Sequence, residues 1–150
     1  KRIDFPGGWE DDSANLFTAQ GRASAPELYA SAAELHDYTK TLFQWRKGCK
    51  AVQEGKTLHF LSRKNVGAAN ITDNTYSFFR YTDEDAAFVY INNTSEPRTL
   101  DWNHYREFVS GPVKGTDILT GEEMTLQDGV SVLPKSALIV EFSRNQQNTK

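Results

Sequence analysis

Three residues near the start of the chain, Arg2, Asp4 and Trp9, combine side chains that can hydrogen-bond a polar ligand with one that can stack against an apolar face. The guanidinium of Arg2 and the carboxylate of Asp4 can hydrogen-bond hydroxyl groups, and the indole of Trp9 offers an apolar face on which a pyranose ring can stack. A tight turn, Pro6-Gly7-Gly8, precedes the tryptophan, so Trp9 is also compatible with a purely structural wedge. Arg2, Asp4 and Trp9 are therefore candidate substrate-binding residues, with the wedge as the alternative.

Residues suited to metal or thiol chemistry are scattered. His36, His59 and His104 fall on different predicted elements without a second ligand at metal spacing, so each is predicted to be a surface or partly buried histidine. The acidic run 83–85 is predicted to be a solvated turn that could at most hold calcium weakly. Cys49 is the only cysteine, which excludes an internal disulfide. We predict no metal site and no cofactor here.

Composition limits the class of partner. The 150 residues are 38% hydrophobic, enough for one globular unit with a real core. The net charge is −3, with acidic and basic residues interspersed, so the sequence gives no reason to expect nucleic-acid binding. No apolar run approaches the ~20 residues that a membrane span needs. A neutral partner such as a sugar is compatible with this balance.

A helical pattern runs from Ser24 to Gly48, as one helix or two abutting helices. Ser24 with Glu27, and Ser31 with Glu34, each fit a capping box, so the helix can begin at either. Gly48 is predicted to close the helix in the left-handed conformation. The apolar residues that recur at three- and four-residue steps are Leu28, Ala32, Leu35, Tyr38, Leu42 and Trp45.

After Cys49 the apolar period falls to two, which predicts short strands separated by turns and therefore a sandwich. A helical turn is expected within 103–110, and a hairpin from 116–119 to 124–126. Residues 143–150 are expected to be a frayed tail. The predicted strands are 57–61, 76–81, 87–91, 98–102, 130–133 and 137–142.

The run from Arg2 to Trp9, with Asp12, Asn15 and Phe17 after it, resembles the carboxy-terminal end of the α-amylase family, glycoside hydrolase family 13. The similarity is to the subgroup of neopullulanases, cyclomaltodextrinases and periplasmic starch-degrading amylases. Two further segments support it, Asp37-Tyr38-Thr39 to Trp45-Arg46-Lys47-Gly48 and Leu133-Pro134-Lys135-Ser136-Ala137-Leu138. Because the chain enters this loop directly, we expect a piece of a larger protein.

The resemblance implies a mainly β fold with two parts. Residues 1–48 would be the last loop and one or two outer helices of a (β/α)₈ barrel. Residues 49–150 would be the antiparallel Greek-key β-sandwich, domain C, that follows the barrel. Barrel active sites are built from loops at the carboxyl ends of the strands, so Arg2, Asp4 and Trp9 would lie in the eighth such loop.

The resemblance also implies the chemistry of the parent enzyme. Family members are retaining hydrolases of α-1,4-glucosidic bonds, with two carboxyl groups ~5 Å apart across the bond. These groups come from the fourth, fifth and seventh barrel strands, so no catalytic residue is expected here and the isolated chain should be inactive. The implied partners are the parent barrel and an α-glucan or maltooligosaccharide. The implied compartment is the bacterial periplasm or the exterior, alternatively the cytoplasm, and any calcium would belong to the parent barrel.

Two other roles remain open. The sandwich could bind carbohydrate independently if Trp102, Tyr105 and Phe108 formed an exposed platform, although large aromatic residues more often fill the core of a sandwich. The apolar stripe of the helix would lack a partner without the barrel, because exposed apolar patches of several hundred Å² are unusual in soluble monomers. We therefore expect that stripe to pair in a homodimer or to fold back on the sandwich.

Overall fold

The computed structural model describes residues 26–61 and 74–147. The chain divides into two compact units, residues 1–43 and 44–150. Helix α1 (Pro26–Gly48) confirms the helical prediction and is one continuous helix, and a single-turn helix α2 (Lys50–Gln53) follows it. Because Ser31 lies inside α1, it does not begin a second helix, and Pro26 stands at the first described helical position, where a missing N–H costs least.

The predicted left-handed closure of α1 at Gly48 is wrong. Gly121 and Gly129 are the glycines with positive φ among the described residues. Cys49 instead turns to an extended conformation with φ −93° and ψ 106°, while its N–H still donates to the carbonyl oxygen of Trp45 at 2.9 Å. The helix therefore ends because the chain becomes extended at Cys49, immediately before α2.

Antiparallel strands make up the rest of the described chain and form two sheets. The larger sheet has six strands in the order β1-β2-β3-β8-β5-β6, and β4 pairs with β7 in the smaller one. The strand β8 returns to lie between β3 and β5, which gives the predicted Greek-key sandwich. The strands are β1 (Lys56–Phe60), β2 (Thr75–Tyr81), β3 (Asp85–Asn92), β4 (Arg98–Thr99), β5 (Val113–Asp117), β6 (Glu123–Leu126), β7 (Ser131–Val132) and β8 (Ser136–Ser143).

The core lies between the large sheet and the layer that contains β4 and β7. Phe79 on β2 pairs with Phe88 on β3, which pairs with Val140 on β8, and all three are fully buried. A 3₁₀ turn (Trp102–Tyr105) covers this row, and the ring centroids of Phe88 and Trp102 are 5.2 Å apart. These aromatic contacts confirm the sandwich as the fold.

The expected frayed tail is wrong for its first residues. Residues Arg144–Gln147 form a second 3₁₀ turn. Arg144 donates from Nη1 to the carbonyl oxygen of Thr82 at 2.6 Å, and its guanidinium lies 5.0 Å from the ring centroid of Phe108. A cation over an aromatic face is attracted to it, so these contacts hold the turn against the sandwich.

Candidate functional site

The predicted substrate-binding residues Arg2, Asp4 and Trp9 lie outside the described residues. Their role in a sugar cleft remains a prediction. The domain boundary between residues 48 and 49 also remains a prediction. What the structure does describe is the surface of the sandwich and the helix end attached to it.

Trp102, Tyr105 and Phe108 do not form an exposed platform, so the alternative of a sugar-binding surface there is wrong and the expectation that they fill the core is confirmed. Trp102 is 4% exposed and Tyr105 3% exposed, and Phe108 is partly buried with its ring centroid 4.4 Å from that of Phe79. The indole Nε1 of Trp102 donates to the carbonyl oxygen of Gly111 at 2.8 Å. These three residues fill the core, as large aromatic side chains in a sandwich usually do.

The outer face of the large sheet is covered at one end and open at the other. Along β3, Ala87 is fully buried, Val89 is 7% exposed and Ile91 is 38% exposed. At the covered end, α2 packs against β2 and β3, and its Ala51 is fully buried. Nη2 of Arg80 donates to the carbonyl oxygen of Val52 at 2.9 Å and so fixes the end of α2 to β2.

The end of α1 is joined to the same face. Nε1 of Trp45 donates to Oε2 of Glu141 on β8 at 2.8 Å, a charge-assisted hydrogen bond. Cys49 is buried beside them, and this burial raises the pKa of its thiol to about 11, with the nearby carboxylate of Glu141 acting in the same direction. The thiol is therefore protonated at neutral pH. Trp45, Cys49 and Glu141 together form what we term the helix joint.

At the open end of the outer face, three neighbouring rings form what we term the ring array: His59, Tyr76 and Phe78. The ring centroids are 5.8 Å apart for His59 and Tyr76, 5.4 Å for Tyr76 and Phe78, and 6.0 Å for His59 and Phe78. His59 and Tyr76 are inclined by 28° and are exposed, whereas Phe78 is half-buried. The hydroxyl of Tyr76 is hydrogen-bonded to Nδ1 of His59.

A polar rim follows at the ends of the same strands. Asn93, directly after β3, donates its N–H to the carbonyl oxygen of Asn74 at 2.8 Å. Nζ of Lys135 donates to Oδ1 of Asn93 at 3.1 Å and to its carbonyl oxygen at 2.9 Å. The amide of Asn93 and the ammonium of Lys135 thus lie beyond the strand ends that carry Tyr76 and Ile91. These two are the outward residues nearest this end of β2 and β3.

A cleft of about 540 Å³ opens elsewhere, between β5, β6 and β8. Its lining includes the charged residues Asp85, Lys114, Glu123 and Glu141, and it lacks a row of aromatic faces. Among residues 26–61 and 74–147, no group of three or more His, Cys, Asp or Glu side chains is arranged to hold a metal ion. Within the same ranges no helix has the length and apolar character of a membrane span.

Sequence reasoning missed both the helix joint and the ring array. The alternation of β2 holds a signal for the ring array, because Tyr76 and Phe78 occupy one face while Phe79 occupies the other. A strand with aromatic residues on both faces must present some of them away from the core it builds. No comparable pattern links Trp45 to Glu141, which are 96 residues apart.

A protein-family model matches part of the chain. Residues 71–141 match the model described as the cyclo-malto-dextrinase C-terminal domain. This segment contains β2 to β7 and most of β8, so the match falls on the sandwich.

Solved structures with the same fold include three that match most of the chain. An α-amylase from Geobacillus thermoleovorans, complexed with acarbose, is 16% identical with a TM-score of 0.55, over 90% of this chain and 26% of that one. An Anoxybacillus α-amylase is 20% identical with a TM-score of 0.53, over 91% and 26%. A variant of AmyP in complex with maltotriose is 17% identical with a TM-score of 0.54, over 73% and 21%. The chain thus spans about a fifth to a quarter of the length of each.

Proposed function

We propose that this chain, which carries a cyclo-malto-dextrinase C-terminal domain and is thereby part of an amylase-type glycoside hydrolase, supports a catalytic barrel that cleaves α-1,4-glucosidic bonds in α-glucans. The observation that carries the proposal is the family match over residues 71–141. The barrel is the partner of this chain, and the α-glucan or maltooligosaccharide is the partner of the whole enzyme.

The supporting role rests on the helix joint. The last turn of α1 is bound to the sandwich through Trp45 and Glu141, and α2 is bound through Arg80. A helix at the edge of a barrel that is tied at its end to a sandwich loses freedom to fray, because its last residues cannot leave the sheet without breaking these bonds. The sandwich thereby adds to the stability of the barrel end.

The substrate-contacting role belongs to the first loop. Arg2 and Asp4 hydrogen-bond sugar hydroxyls, and Trp9 stacks on a pyranose ring, in a cleft whose catalytic carboxylates come from the barrel. We propose retention of configuration at the anomeric carbon, the outcome of a double displacement through a covalent intermediate. We also propose that the enzyme acts in the bacterial periplasm or outside the cell and that this chain needs no cofactor.

The test of the bond-cleaving proposal uses a protein in which a barrel precedes this chain. Proton NMR during hydrolysis of maltoheptaose reports the anomer that is released first. The α anomer is expected, and release of the β anomer would contradict a retaining mechanism.

A homodimer through α1 is a second proposal for the isolated chain. Leu35, Tyr38 and Phe43 on this helix are exposed apolar side chains. Burying them against a second copy around a twofold axis removes that surface from water. Light scattering at high concentration should give the mass of a dimer, and Leu35→Glu should give a monomer. A strict monomer for the unaltered chain would exclude this pairing.

A further inference from the structure

We propose that the ring array of His59, Tyr76 and Phe78 is a surface binding site for neutral oligosaccharides. This goes beyond the proposed function, which places substrate contact at Arg2, Asp4 and Trp9 in the barrel cleft. The array lies on the outer face of the sandwich and consists of residues in the described part of the chain.

The geometry of the rings suits sugars. Their centroids form a triangle with sides of 5.4, 5.8 and 6.0 Å. This spacing is similar to the width of a pyranose ring, and the ring planes are inclined to one another by 28° to 47°. A sugar unit can therefore rest on the exposed ring of Tyr76 or His59 while the half-buried Phe78 supports them. The C–H groups of a pyranose face are apolar, and an aromatic ring that covers them removes both surfaces from water.

The array is also ordered before any ligand arrives. The hydrogen bond between the hydroxyl of Tyr76 and Nδ1 of His59 links β2 to β1 and orients both rings. Phe78 is half-buried and pairs with Val89 of β3, whose side chain is buried. Rings that are already fixed lose little conformational entropy when a ligand binds, which raises affinity. Beyond them, Asn93 and Lys135 supply hydrogen-bonding groups for sugar hydroxyls.

Charge and area favour a small neutral ligand over a protein. The neighbouring outward residues Thr57, Val89 and Ile91 are uncharged, and the guanidinium of Arg80, the charged neighbour on β2, is held by hydrogen bonds to Thr57 and Val52. The cleft between β5, β6 and β8, by contrast, is lined by several charged side chains. Three partly exposed rings present at most roughly 300 Å², given the size of aromatic side chains. A stable protein interface buries about 800 Å² on each partner. The array therefore matches an oligosaccharide of a few units better than a second copy of the chain.

The experiment is isothermal titration calorimetry of the 150-residue chain with maltoheptaose, and separately with cellohexaose. The unaltered chain should bind at least one of these neutral sugars. Tyr76→Ala should weaken that binding about tenfold or more, the factor that corresponds to about 1.4 kcal/mol. The matched control is Tyr38→Ala, because Tyr38 on α1 is 42% exposed and Tyr76 is 44% exposed. The control should bind like the unaltered chain.

Three outcomes of this comparison would overturn the proposal. They are no binding of either sugar by the unaltered chain, equal binding by Tyr76→Ala, and equal loss in Tyr38→Ala. A second variant, Tyr76→Leu, keeps apolar bulk on the strand but removes the aromatic face, and it should also lose binding with an unchanged urea midpoint. Retained binding in Tyr76→Leu would likewise exclude stacking. Hydrolysis by a longer enzyme depends on the barrel cleft and not on the ring array. If that enzyme failed to hydrolyse α-glucans, the proposed function would fail, but the binding results for the ring array would not change.

Discussion

Asn92 provides the sharpest prediction for the sandwich. Its side chain is fully buried at the end of β3. Nδ2 donates to the carbonyl oxygens of Glu96, Val132 and Leu133 at 2.9, 3.1 and 2.9 Å. Oδ1 accepts from the N–H and the hydroxyl of Thr94 at 3.0 and 2.7 Å. One amide therefore ties the turn after β3 to the region of β7.

Asn92→Ala removes all of these hydrogen bonds, in which the two N–H groups of Nδ2 are shared among three carbonyl oxygens. Each contributes about 1 kcal/mol net, and the carbonyl groups left behind are partly shielded from water, so the free energy of unfolding should fall by about 3 to 5 kcal/mol. With a urea dependence of about 2 kcal/mol per M, the midpoint should fall by about 2 M. Asn92→Asp should be at least as damaging at neutral pH, because it turns a carboxylate toward three carbonyl oxygens.

Urea unfolding followed by tryptophan fluorescence measures this, since Trp102 lies in the core. The matched control is Asn93→Ala, at an exposed asparagine that contacts Lys135, and it should cost less than about 0.5 kcal/mol. A loss below about 1 kcal/mol in Asn92→Ala, or equal losses at both positions, would refute the reasoning.

Three further predictions concern the helix joint and the first loop. Trp45→Phe should lower the free energy of unfolding by about 1 to 3 kcal/mol, and a double-mutant cycle with Glu141→Leu should show coupling; additive losses would mean that the 2.8 Å hydrogen bond contributes nothing. The pKa of Cys49 rises from 9.0 to about 11 on folding, so the unfolded thiol ionises first and stability is lost as the pH rises through that window. In urea titrations from pH 8 to 11, Cys49→Ala should not show this part of the loss of stability at alkaline pH. Identical pH profiles for the variant and the unaltered chain would exclude a contribution from the Cys49 thiol. In an enzyme with a barrel, Trp9→Ala should lower kcat/KM by the equivalent of roughly 1 to 3 kcal/mol; an unchanged kcat/KM with a lower Tm would favour the structural wedge.

Much of the sandwich could be predicted from the sequence. The strands β1, β2, β3 and β8 lie within two residues of their predicted limits, because each alternates between a buried and an outward face. The strands β4 and β7 are two residues each, shorter than the predicted runs 98–102 and 130–133. Outside these short strands the two segments are joined by single contacts instead of a ladder. One of them is the carboxylate of Asp128, which accepts from the N–H of Trp102 at 2.6 Å.

The functional surface was less predictable for two physical reasons. Aromatic residues crowd both faces of β2, so the sequence could not show whether Tyr76 or Phe79 points to the core. Contacts between distant segments, such as Trp45 with Glu141, depend on the packing of a helix end on a strand 96 residues away. The predicted left-handed Gly48 failed because Cys49 becomes extended and supplies the turn instead.

The most direct measurement of the central claim is a reducing-end assay of the chain alone and of a protein in which a barrel precedes it. Both are incubated with maltoheptaose, pullulan and cyclodextrin, with heat-killed protein as the control. A supporting sandwich without catalytic carboxylates predicts no turnover by the chain and clear turnover by the longer protein. Turnover by the chain above the control would contradict the claim, and so would a longer protein that leaves every α-glucan intact.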